Sequence, residues 1–343
     1  MLDNRTYIRR LLIALLVAAV AAALWMAAHV LLLLFGAVLF AVVIRGLAGL
    51  VRRAVPMPDR AAVGTVIALL LVCVGLFAWL FGTSVAGQFT QLLQQVPNTA
   101  SELEGAVRQA PMGDRIIDQM RQQGEGAPLN QLAQWVGHGV TLVLNGLGYL
   151  VVVLLAAVYF AFEPDLYRRG LEKLVPRDTV ELVRRTLDRC GDALWKWAAG
   201  QLVDMLAVGA VTTLGLWLLG VPAPAALGLI AFLLEFIPFI GPLLAAIPAV
   251  LLALTVGPWL AVWTGLFYLV VQQVEGNILL PLIQQRAVDL PPAVCLFSIL
   301  LFTALFGVPG ALFATPLAVA LMVVVQIDYV QAVLKRPVQV TGR

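Results

Sequence analysis

Charge is scarce in this chain. Asp, Glu, Lys and Arg make up 12% of its 343 residues, whereas 62% are hydrophobic. A water-soluble domain cannot hide that much apolar surface, so the bilayer must be its solvent. The net charge of +3 is too small to point to nucleic acid. Histidine occurs twice, as His29 and His138, each alone near an expected membrane end, which suits interfacial or packing roles. Cys73, Cys190 and Cys295 are far apart and form no CxxC pair, so they read as buried small side chains rather than metal ligands or disulfide partners. There is no HExxH, no His/Asp/Ser constellation and no Gly-rich phosphate loop after a strand. Ser298 and Thr303 are more simply helix-packing hydroxyls. No enzyme, cofactor or bound metal is expected.

What the sequence has in abundance is apolar runs, over 11–28, 30–44, 61–86, 140–162, 206–220, 225–254, 259–282 and 293–327. About 20 apolar residues cross about 30 Å of hydrocarbon as helix. The expected fold is therefore an all-α polytopic membrane protein with about eight apolar helical segments. Arg5, Arg9 and Arg10 ahead of the first run resemble a signal peptide, but a second run follows at once, so a retained first span is expected.

Basic residues collect in cytoplasmic loops. Arg5, Arg9 and Arg10 place the N-terminus inside, and the connection at 27–29, which has none, outside. Arg45, Arg52, Arg53 and Arg60 mark an inside loop. Residues 88–134 hold three arginines outnumbered by acids, with breaks at Pro97, Pro111 and 124–126, and read as an extracytoplasmic helical region after an N-terminal scaffold of spans over 1–87. A span over 135–162 leads to a basic cytoplasmic linker, 163–200, in which Val183, Leu187, Cys190, Leu194 and Ala198 fall on one stripe. That pattern predicts an amphipathic helix in the inner interface, with packing on a neighbouring subunit as the other reading. A transport unit over 201–330 and a cytoplasmic tail over 331–343 complete the division.

Two apolar segments are interrupted. Residues 225–254 would run about 45 Å as straight helix, too long for one untilted span and too short for two. They contain "EFIPFIGP", with Glu235, Pro238, Gly241 and Pro242, and later Pro248. Residues 293–327 repeat the problem with Gly307, Pro309, Gly310 and Pro316. "GPLLAAIPAVLLAL" from Gly241 parallels "GALFATPLAVALMV" from Gly310 with one residue deleted, a weak internal repeat. Irregular backbone at membrane depth is tolerated only where protein or a water-filled cavity surrounds it, and paired broken segments point to a transporter's substrate site. Two topologies fit the charges: re-entrant hairpins opening on opposite faces, or two tilted single spans. Hairpins are preferred because Arg286 then lies inside; Lys335 and Arg336 lie inside in both.

Asp204, Glu235 and Glu275 fall within or beside the late spans, where no Lys or Arg can neutralise them. Each would cost about 2.5–3.5 kcal/mol at a helix centre. They must be protonated, cation-bound, close to an interface or in water. Gln201 lies one turn from Asp204, Gln272 one turn from Glu275, and Gln273 shares a face with Asn277. A carboxylate that alternates between protonated and charged suits proton coupling, and one held by carbonyls and amides suits sodium. The structural alternative is interhelical hydrogen bonding that only fixes packing.

In "AAGQLVDM", "LGLIAFLLEFIPFIGPLLAAIPAVL", "VQQVEGNILLPLI", "LPPAVCLFSILLF" and "FGVPGALFATPLAV", in this order, the chain resembles the autoinducer-2 exporter family of bacterial membrane transporters. It departs from the family pattern in having Trp197 where a tyrosine is expected. The resemblance implies a bacterial inner-membrane protein that exports small polar molecules, including autoinducer-2, driven by a proton or sodium gradient. It also implies a homo-oligomer, plausibly a pentamer, in which a moving unit slides in a fixed scaffold. On this reading Glu235 and Glu275, with Asp204, carry the coupling ion. Gln201, Gln272, Gln273 and Asn277 line the substrate pathway, and Pro238, Gly241, Pro242, Gly310 and Pro316 permit the backbone breaks. The alternatives are a monovalent cation/proton antiporter and a structural or regulatory membrane scaffold.

Overall fold

No proline occurs before Pro56, and the chain up to it is one helix, α1, Asn4–Ala54. At 51 residues it is about 77 Å long, more than twice the hydrocarbon thickness. Two spans parted at 27–29 are expected from the basic pattern, but the structure runs straight through: Ala27, Ala28 and His29 include no helix breaker. This computed structural model describes residues 4–79, 148–279 and 291–335, with Thr83 and Gly87. The extracytoplasmic region expected over 88–134, Arg286 and residues 336–343 lie outside them.

All the described regular elements are helical. Four are long and apolar enough to cross a membrane, or five if one bent pair counts as a span. The described residues thus show fewer than the expected eight, because α1 takes up two runs and Pro224–Leu234 and Ile240–Leu254 are shorter apolar helices. After α1 comes α2, Asp59–Trp79, then α3, Gly148–Phe162, and α4, Pro164–Glu172, bent from α3 by 84°. Pro164 causes the bend: a residue before proline is pushed out of helical geometry, and Glu163 takes φ −132° and ψ 58°. Helix α5, Val180–Leu219, precedes α6, Pro224–Leu234, and α7, Ile240–Leu254. Helix α8, Pro258–Val274, continues as a π turn, Glu275–Leu279. Helix α9, Pro292–Val324, ends in a second π turn, Val325–Gln331. Helices α4, α6, α8 and α9 all open at a proline, whose missing N–H costs nothing in the first turn.

Three apolar cores hold these helices. Ala41, Ile44 and Ala48 of α1 pack with Ala62, Val63 and Val66 of α2 and Ala157 and Ala161 of α3. Polar contacts fasten the same end. Asp59 accepts from Arg45 at 3.1 Å and Arg52 at 2.8 Å, and Arg45 also donates to the Ala161 carbonyl at 2.9 Å. A second core joins Leu216 of α5 to α6, α7 and α8. A third joins Leu39 of α1, Ala193, Leu194 and Trp197 of α5, and Ala314, Val319 and Val323 of α9.

That third core changes the reading of 179–198. The stripe expected to lie in the membrane interface belongs to a continuous 40-residue helix, and its Cys190, Leu194 and Ala198 pack in the core shared with α9 of the same chain. Thr186 donates to Asp328 at 2.7 Å, and the Cys190 thiol reaches the Ala320 carbonyl at 3.7 Å. Apolar periodicity marks a buried face without saying whether lipid or protein buries it.

Within α9 the helical path is interrupted at Gly307, with φ 65° and ψ −146°. Cys295 Sγ and Thr315 Oγ1 are 3.5 Å apart, whereas twenty residues of straight helix would separate them by about 30 Å. The two arms of α9 thus lie side by side. Gly310 sits where they touch: a Cβ there would overlap the Phe302 carbonyl oxygen. Gly241 occupies the same situation between α6 and α7, where a Cβ would overlap the Leu234 carbonyl oxygen. The obstacle is main chain in both places, so it cannot swing away. Gly241→Ala and Gly310→Ala should each destabilise the protein by about 1–3 kcal/mol, the usual range for overpacking. Gly49→Ala, exposed and with open space around it, should be neutral or slightly stabilising. Thermal unfolding in detergent would compare the three, and an unchanged midpoint for Gly310→Ala would contradict the close approach.

Candidate functional site

The turn between α6 and α7 is Glu235–Phe239, and its first residue is the most deeply buried acid described. Glu235 is 0% exposed, Asp204 6% and Glu275 7%. One oxygen from each lies within 4.8 Å of the others. Three separate elements deliver them: Asp204 from the middle of α5, Glu235 from the C-terminal end of α6, and Glu275 from the junction of α8 with its π turn. Helix α5 reaches the others through close helix contacts. Gly209 of α5 faces Gly228 of α6, where a Cβ would stand 3.3 Å from the Gly228 carbonyl oxygen, and Gly215 receives the Phe267 ring of α8.

The charged neighbours of Glu235 are Glu275 and Asp204. Both Glu235 oxygens, Asp204 Oδ1 and Glu275 Oε2 are buried and reached by no other donor among the described residues, so Glu235 and Glu275 can hydrogen-bond only to each other, across a shared proton. Like charges this close cannot all be ionised in a low-dielectric setting without a compensating cation or proton. Two oxygens ligating one hard cation at about 2.4 Å stand at most about 4.8 Å apart. The cluster is therefore within reach of a single cation, and equally able to share protons.

Gln201, one turn before Asp204, does not present its amide to the carboxylates. Its Nε2 donates to the Glu235 main-chain carbonyl at 2.8 Å. This ties the turn to α5 and leaves the Glu235 side chain without a donor. Below the turn, Trp197 meets Phe236 edge to face at 5.8 Å, and Ile237 enters the core with Trp197. The remaining expected pathway residues are less buried than the three acids. Asn277 donates to the Gln273 carbonyl at 2.8 Å and to its Oε1 at 3.0 Å, and both residues are exposed. Gln272 is half-buried. Pro242, Gly241, Gly310 and Pro316 are buried, and Pro238 is half-buried in the turn.

Two further residues escaped the sequence reading. The Tyr268 hydroxyl and Thr212 Oγ1 are buried without a partner among the described residues. Tyr268 lies two turns before Glu275 on α8. Its spacing of seven residues was available as a signal, but an isolated tyrosine in an apolar run looks like an interfacial ring.

A family model described as "AI-2E family transporter" matches residues 12–328. YrrI of Bacillus subtilis, described as a candidate transport protein, is 27% identical over 255 residues, covering 71% of each chain. YueF of the same organism, described likewise, is 21% identical over 268 residues, covering 74% of this chain and 73% of its own. PerM of Escherichia coli K12, described as a candidate permease, is 26% identical over 257 residues, covering 72% of this chain and 71% of its own.

The Gln201 bond makes a direct prediction. Gln201→Leu removes one buried hydrogen bond and should lower unfolding stability by about 1 kcal/mol. Gln201→Glu, which adds a fourth acid beside the other three, should cost more. Equal stability of wild type and Gln201→Leu in thermal melts would show that the amide does not hold the turn.

Proposed function

The chain belongs to the AI-2E family of transporters, and on that footing we propose that it is an ion-gradient-coupled secondary transporter whose coupling ion binds at Asp204, Glu235 and Glu275. A role in membrane transport follows from the family and the apolar helices. The observation that carries the coupling reading is the meeting of three buried carboxylates, from three elements, with four oxygens that no other described donor reaches. Such a group is costly when empty and charged, and it is relieved by a proton or a monovalent cation.

In this reading the cargo is a small polar molecule, and export of an autoinducer-2-like signal follows from the family resemblance. The folded-back α6–α7 and α9 segments act as re-entrant hairpins at membrane depth. Helices α1 to α3 form the scaffold of a homo-oligomer, pentameric by the same resemblance. The bacterial inner membrane is the site of action, with the C-terminal end of α1, which carries Arg52 and Arg53, and the basic N-terminal end of α5 on the cytoplasmic side.

One observation favours a second reading. The described carboxylates supply anionic ligands enough for a cation, whereas Gln273 and Asn277 bond each other rather than facing them. Monovalent cation/proton antiport without an organic cargo uses only the carboxylates.

Proteoliposomes test both. An imposed proton or sodium gradient should drive solute accumulation by the wild type. Glu275→Gln keeps shape while removing the charge, and should abolish that accumulation with folding intact; solute exchange without a gradient should persist. Full gradient-driven transport by the Glu235→Gln, Glu275→Gln double variant would remove the coupling role from the cluster. Cation-driven proton movement with no solute dependence would establish the antiport reading.

The hairpin topology has its own test. Gly257, between α7 and α8, should react with an impermeant thiol reagent from the outer face when replaced by cysteine in a background lacking Cys73, Cys190 and Cys295. Labelling from the inner face instead would support single tilted spans.

A further inference from the structure

We propose that α4 lies in the cytoplasmic membrane interface and binds anionic lipid headgroups. The helix leaves the end of α3 at 84°, so an α3 that crosses the bilayer sends α4 along its surface. The junction is braced by Phe160, whose ring meets Tyr167 edge to face with centroids 4.5 Å apart.

Two ion pairs fix which side of α4 faces the protein. Arg168 pairs with Asp188 at 2.8 Å, and Glu172 with Arg184 at 3.1 Å. Arg168 and Glu172 are one turn apart, on one face, and both partners lie on α5. The opposite arc, at 100° per residue, carries Leu166 and Gly170, with Tyr167 and Leu171 towards its edge; Leu174 follows in the turn after the helix, its N–H bonded to the Leu171 carbonyl at 3.0 Å. Leu166, Tyr167, Leu171 and Leu174 are 54%, 41%, 47% and 81% exposed. Arg169, whose Nε donates to the Asp165 carbonyl at 3.0 Å, borders this arc on one side, and Lys173 follows as the C-cap.

An apolar arc edged by cations on a helix parallel to the membrane is the arrangement that inserts into the headgroup boundary. The arginine and lysine stems cover apolar surface while their charges reach the phosphates. The basic end of a transporter faces the leaflet side where lysine and arginine are retained, and anionic lipid attracts them there. A protein partner is the other candidate for this face, but the cationic border of Arg169 and Lys173 complements phosphate-bearing lipid.

Nitroxide labels decide between them in the full chain reconstituted into vesicles. Cysteines would replace Leu171 and Leu174, and Asp178 as a control, after removal of the native cysteines. Collision with oxygen, which partitions into lipid, would be compared with collision by a water-soluble nickel chelate. The oxygen-to-nickel ratio should be severalfold higher at 171 and 174 than at 178. It should rise further when phosphatidylglycerol is added to phosphatidylcholine, and that rise should vanish with Arg169→Gln and Lys173→Gln. Nickel-dominated collisions at 171 and 174 would overturn the interfacial placement. Labels reached by neither collider would mean that protein covers the arc, which overturns it too. Equal ratios in the two lipid mixtures would overturn the preference for anionic headgroups.

Discussion

Three carboxylates share a space without a counter-charge supplied by the described side chains around them, and the architecture around α5 is arranged to hold that arrangement in place. Mutual repulsion and desolvation both oppose it. What opposes them in turn is packing: α5 is threaded between the α6–α8 core and the α1–α9 core, so that Asp204 cannot retreat. Close helix contacts at Gly209, Gly228 and Gly215 bring α6 and α8 up to α5. The Gln201 amide then secures the turn that bears Glu235. A buried acidic group of this kind is poor structural glue, since apolar residues of similar volume would stabilise the same crossing better. Its presence points to use.

The sequence made the membrane class and the acids legible, for different reasons. Apolar composition alone puts the chain in the bilayer, because there is no other way to cover the surface. Asp204, Glu235 and Glu275 stood out because a charge in an apolar run is expensive wherever the helix goes. Their convergence was not legible. They are 31 and 40 residues apart in sequence, and only the fold-back after α6 and the reversal into α8 bring them together.

Where the sequence reading failed, it lacked information about neighbours. At 27–29 the absence of basic residues suggested a loop, yet helix propensity there is uninterrupted, and α1 continues. At 183–198 the apolar stripe is real, and its Cys190, Leu194 and Ala198 are covered by α9 of the same chain. The amphipathic element left facing outward is the shorter α4, whose nine residues offered too little periodicity to notice. The spacing of Gln201 sets it one turn from Asp204, but nothing in that spacing tells that its donor is spent on a main-chain carbonyl.

The separate origin of the three acids has a mechanical consequence. Each is mounted on a different part: a long stem helix, a turn and the start of a π segment. A ligand bridging them is a joint between those parts, and its strength depends on their alignment. If the turn shifts by an ångström or two relative to α5, a bridging ion loses one of its three anchors while the other two stay. Affinity then becomes a gauge of shape, and loading the joint pulls the parts into register. For such a bridging ion, displacement and charge would be interchangeable at this point of the molecule, with no need for a distant relay between them.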